Sequence, residues 1–253
     1  MLIRKDRLKK YIRKGGDFMI KFDNLPLDPG TLISLEKIDI DFIFQPIFQL
    51  STGSIIAHEA LISPNESAAH TIIDEYEANT KLHVLELAAL FGATKRFIER
   101  GYSTKLCINS FASEILTPLE ADVYFGNIAK TLNGRLIVDL LDHNFYSPLT
   151  WQIKRNQLRS HNATIVLADF TPNYDHIHAF NVFEPDFVKL DRIYIDNIAR
   201  DNDQQDRLRK VVNHYHRLGA KVMVEGVETV DELEVIKRTD IDFAQGNYLG
   251  KPE

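Results

Sequence analysis

Seven polar side chains that could bind a cation or move a proton each end a short apolar run of the sequence. They are Glu59, Asn109, Asp139, Asp169, Lys189, Glu225 and Gln245. Buried parallel strands are near-continuous apolar runs, so a polar residue at the end of one is expected where water or a ligand can reach it. In a closed α/β barrel these ends lie on one face, which is the face that carries chemistry. The pattern therefore predicts one site at a barrel mouth.

The residue types indicate metal-assisted hydrolysis. Carboxylate and amide oxygens select hard divalent cations, and the predicted ligands of Mg²⁺ or Mn²⁺ are Glu59, Asn109, Asp139 and Asp169. A neighbouring lysine can orient or deprotonate a water molecule or bind a phosphate oxygen, and such a set suits phosphodiester hydrolysis. The predicted catalytic residues are Lys189, Glu225 and Gln245. An alternative stays open, in which the polar barrel ends satisfy one another and water.

The elements that position these residues predict an α/β fold, a modified (β/α)₈ barrel of the TIM type with an antiparallel first strand. Two β-prone runs, 42–50 and 54–60, are separated by only three turn residues. That length suits a hairpin and cannot hold a crossover helix. Strands and helices then alternate, beginning with a helical pattern over 71–100. Three later strand ends follow one another at about the length of one βαβ unit.

Two capping signals predict where helices begin. Thr31 is the predicted N-cap of a short entry helix over 31–38. Thr229 and Glu232 have the spacing of a capping box, which predicts the start of the last full helix.

Length and composition agree with one globular barrel. The 253 residues match the usual size of a single (β/α)₈ barrel, and no stretch approaches the roughly 20 apolar residues that cross a bilayer. The one cysteine, Cys107, lies in an apolar run and is predicted to be a core residue. Without a disulfide framework, a cytoplasmic location is expected.

Charge is distributed unevenly along the chain. Residues 1–14 carry seven lysines and arginines against Asp6 alone, although the net charge is −6. The acidic remainder argues against a nucleic-acid partner. We predict that residues 1–18 are a disordered or non-native extension, because residues 14–19 can be encoded by a purine-rich stretch of the kind that forms a ribosome-binding site before a start codon. A lead-in segment with the entry helix then covers 19–40, and the barrel domain covers 41–253.

Short motifs spread over the chain from Asp41 to Pro252 resemble the EAL domain family. In chain order they are Gln45-Pro46-Ile47, Glu59-Ala60-Leu61, Ile108-Asn109, Asp169-Phe170, Lys189-Leu190-Asp191, Glu225-Gly226-Val227-Glu228-Thr229, Gln245-Gly246-Asn247 and Lys251-Pro252. The resemblance implies a barrel with an antiparallel first strand and metal-dependent phosphodiesterase activity on the second messenger cyclic di-GMP. It places Gln45 and Ser63 at substrate-binding positions and implies pairing of two copies as a homodimer.

The sequence departs from the family pattern at positions on which the activity of the family depends. The family's EALxR motif ends in an arginine that grips phosphate, and Ser63 cannot supply that charged, bidentate contact. The first aspartate of the family's DDFGTGYS motif, a metal ligand, is replaced by Ala168. The loop that follows has lost both glycines, at Thr171 and Asn173. Asp139 stands for a glutamate, which shortens its reach by one methylene.

These departures predict a catalytically impaired EAL-domain protein of cyclic di-GMP signalling. It would act by binding the dinucleotide or a regulatory protein partner, and Mg²⁺ or Mn²⁺ would be its cofactor only if the site is functional. The alternative is an active phosphodiesterase that opens cyclic di-GMP to linear pGpG.

Overall fold

Eight strands form a closed barrel in the computed structural model. The structure describes residues 22, 25–38, 40–63, 76, 81–141, 147–168 and 174–253, with the backbone alone for 174–178. The predicted extension over 1–18 and the candidate ligand Asp169 lie outside these residues. The strands are β1 (Asp41–Gln49), β2 (Ile55–Ser63), β3 (Lys105–Phe111), β4 (Leu136–Leu141), β5 (Thr164–Leu167), β6 (Phe187–Leu190), β7 (Lys221–Val224) and β8 (Phe243–Ala244).

The predicted hairpin and the antiparallel first strand are confirmed. β1 pairs antiparallel with β2 along its length and antiparallel with β8 at Phe48 and Gln49, whereas every other neighbouring pair is parallel. Gly53 has a φ of 69° in the turn, a conformation that glycine adopts at little cost. Because β1 runs against the other strands, its residues reach the mouth in the reverse order.

Helices surround the barrel and begin at recognisable caps. They are α1 (Pro29–Leu35), α2 (Leu82–Glu99), α3 (Pro118–Val123), α4 (Pro148–Ser160), α5 (Tyr174–Phe183), α6 (Asn202–Arg217) and α7 (Val230–Ile236). The capping box of Thr229 and Glu232 is confirmed at α7. The prediction of Thr31 as N-cap is wrong, because Asp28 accepts the hydrogen bond from the Thr31 amide and Pro29 begins the helix. Among the described residues, no helix has both the length and the apolar composition that crossing a membrane requires.

The described residues form two apolar clusters. The larger one lies between the strands and the helices, where buried residues of α2 such as Leu85 and Phe91 pack. The smaller one fills the barrel interior below the mouth, and it consists of Ile47, Ala57, Cys107, Ile137, Val166, Met223 and Phe243, with Phe187 packed against it. Cys107 is fully buried there, as predicted for a core residue. Burial raises the pKa of its thiol well above the ordinary value.

A buried ion pair ties α2 and α4 to the end of β3. Glu86 Oε1 lies 2.7 Å from Lys154 Nζ, and both side chains are almost completely buried. Glu86 also accepts hydrogen bonds from the Ser110 hydroxyl at 2.7 Å and the Phe111 amide at 2.9 Å. Removing either partner by mutation would destabilise the protein, because the other charge would remain buried and unpaired. It therefore fixes the segment that directly follows Asn109.

Candidate functional site at the barrel mouth

One inward-facing residue in or directly after each strand forms a ring above the apolar interior. Each ring residue lies two positions along the chain from a residue of the smaller apolar cluster. Residues two apart in a strand have side chains on the same face, so the ring residue also points into the barrel. The ring consists of Gln45, Glu59, Asn109, Asp139, Ala168, Lys189, Glu225 and Gln245. It contains six of the seven residues that the apolar runs singled out, and the seventh, Asp169, is outside the described residues. Ala168 is the one apolar member of the ring.

The Lys189 ammonium lies among three carboxylates of this ring. Its Nζ atom is 2.7 Å from Asp139 Oδ2, 3.2 Å from Glu59 Oε1 and 3.2 Å from Glu225 Oε2. The three acids come from β2, β4 and the end of β7, so the lysine links distant parts of the barrel. Three negative charges face one positive charge at this point, which leaves the cluster with an excess of negative charge.

The pKa shifts follow from burial and from these contacts. Burial alone would raise the pKa of Glu59, but the Lys189 charge and hydrogen bonds from Gln245 and Asn109 hold it below the ordinary value. Burial opposes the charge on Lys189, but Asp139, Glu59 and Glu225 together raise its pKa well above the ordinary value. Lys189 is therefore a stable ammonium at neutral pH. It can orient a substrate or neutralise charge, and it is poorly suited to accept a proton.

The polar side chains at the centre of the ring are buried from bulk water, and the predicted access of a ligand to them stays a prediction. Glu59, Asp139, Lys189 and Gln245 are each no more than 4% exposed. Lys189 pairs with Glu59 and Asp139, and Gln245 Nε2 donates to Gln45. Most of these buried polar groups therefore compensate one another, as the alternative interpretation of the sequence allowed. The side chain of Glu225 is 30% exposed, and it is the carboxylate of the cluster that solvent reaches most easily.

The amide side chains of the ring form a second set of contacts. Asn109 Nδ2 donates to Glu59 Oε1 at 3.1 Å, and Gln245 Nε2 donates to Gln45 Oε1 at 3.0 Å. Gln45 in turn donates to the Gly250 carbonyl at 3.0 Å, which joins β1 to the segment after β8. Ser63 lies at the last position of β2, on the same strand face as Glu59 and further toward the rim.

The oxygen atoms of the ring suit a hard divalent cation, but the Lys189 ammonium competes with a cation for the same carboxylates. Glu59, Asn109 and Asp139 offer carboxylate and amide oxygens, which such ions prefer. However, the Lys189 ammonium already compensates two of these carboxylates. In the part of the chain that the structure describes, no group of three or more His, Cys, Asp or Glu side chains is arranged to hold a metal ion. The predicted ligand set therefore stays a prediction, with Asp169 outside the described residues.

Sequence reasoning missed the groups that support the ring from behind. Arg192 contacts several acids and a carbonyl beside Glu225, and the pair of Glu86 and Lys154 braces the segment after Asn109. A capping box at Glu232 was the one local signal, because its carboxylate also accepts from the amides of Glu228 and Thr229. Partners that are distant in sequence leave no such local pattern.

The segment after β7 and the segment after β8 meet backbone to backbone at Gly246. A Cβ atom on Gly246 would lie 2.2 Å from both the nitrogen and the oxygen of Val227. The Val227 amide donates to the Gln245 carbonyl at 3.0 Å, so this close approach also carries a hydrogen bond. Only glycine fits such a contact without moving one of the two segments.

We predict that Gly246→Ala lowers the free energy of unfolding by about 1–3 kcal/mol or more, because overpacking against main chain cannot be relieved by a rotamer change. Denaturant unfolding measures the change. Gly126→Ala is the matched control, since its Cβ would meet only the Asp122 side chain at an ordinary 3.4 Å. Equal stability of Gly246→Ala and Gly126→Ala would contradict the predicted clash.

Comparison with known proteins places the chain among EAL domains. The model of the family described as "EAL domain" matches residues 32–252. The probable cyclic di-GMP phosphodiesterase PdeG of Escherichia coli (strain K12) is 27% identical over 149 residues, which cover 57% of this chain and 29% of PdeG. The chain spans less than half of the length of the curated relatives that it matches.

Solved structures share the fold at low sequence identity. A standalone versatile EAL protein from Vibrio cholerae O395, in its c-di-GMP bound form, is 22% identical with a TM-score of 0.76, and the match covers 85% of this chain and 93% of that chain. BlrP1 of Klebsiella pneumoniae, in a complex with manganese and cyclic di-GMP, is 20% identical with a TM-score of 0.73 and covers 85% of this chain and 56% of that chain. These similarities confirm the modified barrel.

Proposed function

This chain belongs to the EAL domain family, and we propose that it binds cyclic di-GMP at the barrel mouth but hydrolyses it poorly. The observation that carries the proposal is the composition of the ring, in which Ala168 occupies the one apolar position among seven polar residues. Ser63 at the rim adds a second departure from the family pattern. Binding groups are thus retained while groups needed for turnover are missing.

Retention of the other ring members supports binding. Gln45 is fixed by Gln245 on one side and by the Gly250 carbonyl on the other, so its amide is held at the mouth. The Lys189 ammonium supplies one positive charge inside a cluster of net negative charge, so attraction of a phosphodiester would require a bound cation as well. The names of PdeG, the Vibrio protein and BlrP1 each refer to cyclic di-GMP, which makes it the first ligand to test.

The chain's own residues would prepare the phosphodiester for attack. Lys189 would balance negative charge on a phosphate oxygen, and Glu225, the more exposed carboxylate, would accept a proton from an attacking water molecule. Glu59, Asn109 and Asp139, with Asp169, would hold a divalent cation, which supplies Lewis-acid stabilisation of phosphate charge when bound. The apolar layer beneath the ring keeps bulk water from entering from below.

Two missing groups would slow turnover on energetic grounds. Loss of one electrostatic contact to the transition state typically costs about 10²–10³ in rate. A methyl group at Ala168 cannot ligate a cation, and a hydroxyl at Ser63 cannot form a bidentate ion pair with phosphate. The two losses together would remove several powers of ten in rate, while the affinity for the dinucleotide would fall less.

A second candidate function is an active phosphodiesterase that produces linear pGpG. The specific observation that favours it is the ion-pair cluster, because Glu59, Asp139, Lys189 and Glu225 are all present and in contact. In this case Asp169 and the remaining oxygens would hold enough metal for turnover. The two candidates differ in the product that they leave, so one sample can separate them.

The test is a calorimetric titration of the full chain with cyclic di-GMP, with and without Mn²⁺, followed by product analysis of the same sample. We expect saturable binding and only a trace of linear dinucleotide. Rapid conversion at catalytic protein concentration would favour the second candidate. Absence of heat and of protection from unfolding at millimolar dinucleotide would contradict both candidates and leave protein interaction as the remaining role.

A further inference from the structure

We propose that Arg192 is a positioning residue, which holds the segment after β7 so that Glu225 faces Lys189. The proposal deepens the proposed function, since Glu225 belongs to the site assigned there. Arg192 begins a short 3₁₀ turn (Arg192–Tyr194) just after β6, the strand that carries Lys189. Asp191 caps this turn by accepting from the Ile193 amide at 2.7 Å. Arg192 is thus anchored to the lysine's own strand.

The Arg192 side chain lies directly across the residue that follows Glu225. Its Nη1 atom donates a hydrogen bond to the Gly226 carbonyl. Gly226 has a φ of 77°, and a Cβ atom there would lie 3.0 Å from the Cβ of Arg192. The glycine therefore allows the arginine stem to pack against the main chain. This contact links the two segments that supply the lysine and the carboxylate.

The same guanidinium also binds the acids of the next turn. Arg192 Nη2 lies 2.9 Å from Glu232 Oε1, 3.5 Å from Glu228 Oε2 and 3.1 Å from Asp196 Oδ1. A planar fork can satisfy a carbonyl and several carboxylates at once, which a lysine ammonium cannot reproduce. The arginine thereby neutralises acids that would otherwise add to the negative charge near the mouth.

Glu232 extends this support to the backbone after Glu225. Its second oxygen accepts from the Glu228 amide at 2.7 Å and from the Thr229 amide at 3.0 Å. Arg192 and Glu232 together fix the main chain from Gly226 to Thr229. Free amide and carbonyl groups of a loop would otherwise be satisfied by water in several conformations.

Glu225 depends on this support more than the other two carboxylates do. Glu59 and Asp139 lie inside strands, whereas Glu225 follows the last residue of β7. Its side chain is 30% exposed, against 5% for Glu59 and 0% for Asp139. The 3.2 Å contact between Glu225 Oε2 and Lys189 Nζ therefore depends on how the segment after β7 is held.

The first test needs no ligand. In Arg192→Ala we expect hydrogen exchange at the Val227, Glu228 and Thr229 amides to become at least about tenfold faster, because a charged hydrogen-bond partner of the segment is lost. The Lys237 amide is an internal reference, since it donates to the Leu233 carbonyl at the end of α7 and not to the segment from Gly226 to Thr229. Arg192→Lys should give an intermediate effect, and it replaces Arg192→Ala if that variant does not fold.

Arg155→Ala is the matched control. Arg155 has 29% side-chain exposure against 27% for Arg192, and it pairs with Glu184 near the opposite end of the barrel. Exchange at the three amides should not change in this control. Unchanged exchange in Arg192→Ala, or an equal increase in Arg155→Ala, would overturn the positioning role.

The second test uses cyclic di-GMP as the probe. We expect Arg192→Ala to bind it about 10- to 100-fold more weakly than the parent, the usual effect of removing a group that orients a site residue. Equal affinity in both proteins, alongside faster exchange, would overturn the link from Arg192 to the site. If the parent itself does not bind the dinucleotide, the proposed function fails, while faster exchange in Arg192→Ala would still support the positioning role.

Discussion

The double substitution Ala168→Asp with Ser63→Arg is expected to raise the hydrolysis of cyclic di-GMP by at least about 100-fold over the parent. Each restored electrostatic contact to a transition state is typically worth about 10²–10³ in rate, so one restored contact alone would give a gain of this size. Ala168 lies in the ring beside the ion-pair cluster, so a carboxylate there would face the predicted metal ligands. An arginine at Ser63 would restore a bidentate phosphate contact. Release of linear dinucleotide measures the gain.

The melting temperature of the same double variant tests the restored site without measuring turnover. A further carboxylate beside Asp139 adds like-charge repulsion, which a bound cation relieves. We therefore expect Mn²⁺ to raise the melting temperature of the variant more than that of the parent. Ala199→Asp with Ser103→Arg is the control, since both positions are exposed and the net charge change is the same. No gain in activity over this control would contradict the account of impairment.

Replacing Lys189 with methionine is expected to lower the free energy of unfolding at neutral pH by about 3–5 kcal/mol. Removal of one partner from a buried ion pair leaves an uncompensated buried charge, which is a severe loss. Here the loss is shared by Glu59, Asp139 and Glu225, and methionine nearly preserves the volume. Denaturant unfolding of the variant and of Lys210→Met, an exposed position on α6, gives the comparison. The control should differ from the parent by less than about 0.5 kcal/mol.

The effect of Lys189→Met should grow with pH. In the parent the pKa of Glu59 is lowered in the folded state, so its stabilising contribution is present above the unfolded value and is lost as the pH falls through the folded value. Without the ammonium, burial raises that pKa, and stability is then lost as the pH rises through it. The raised pKa of Lys189 keeps the parent's ammonium charged across this range. A larger destabilisation at pH 5 than at pH 8 would contradict this assignment.

The sequence predicted the barrel because its signals are local. A turn too short for a helix required the hairpin of β1 and β2, and the alternation of apolar runs with helical patterns required the parallel remainder. The capping box at Thr229 was readable for the same reason, since its partners lie three residues apart. The entry helix begins two residues and ends three residues before the predicted bounds, because Asp28 and Pro29 together start the helix earlier than Thr31 alone would.

By itself the sequence determined which residue types reach the barrel mouth, and through Ser63 and Ala168 which chemistry they lack. Only the tertiary structure decided that Lys189 meets Glu59 and Asp139, which are 130 and 50 residues away along the chain. The same holds for the contact of Gly246 with Val227 and of Arg192 with Gly226. The physical reason is that strand order, stagger and closure of the barrel set these distances. A local pattern fixes the direction of a side chain, and the partner that it meets is fixed by the packing of the whole barrel.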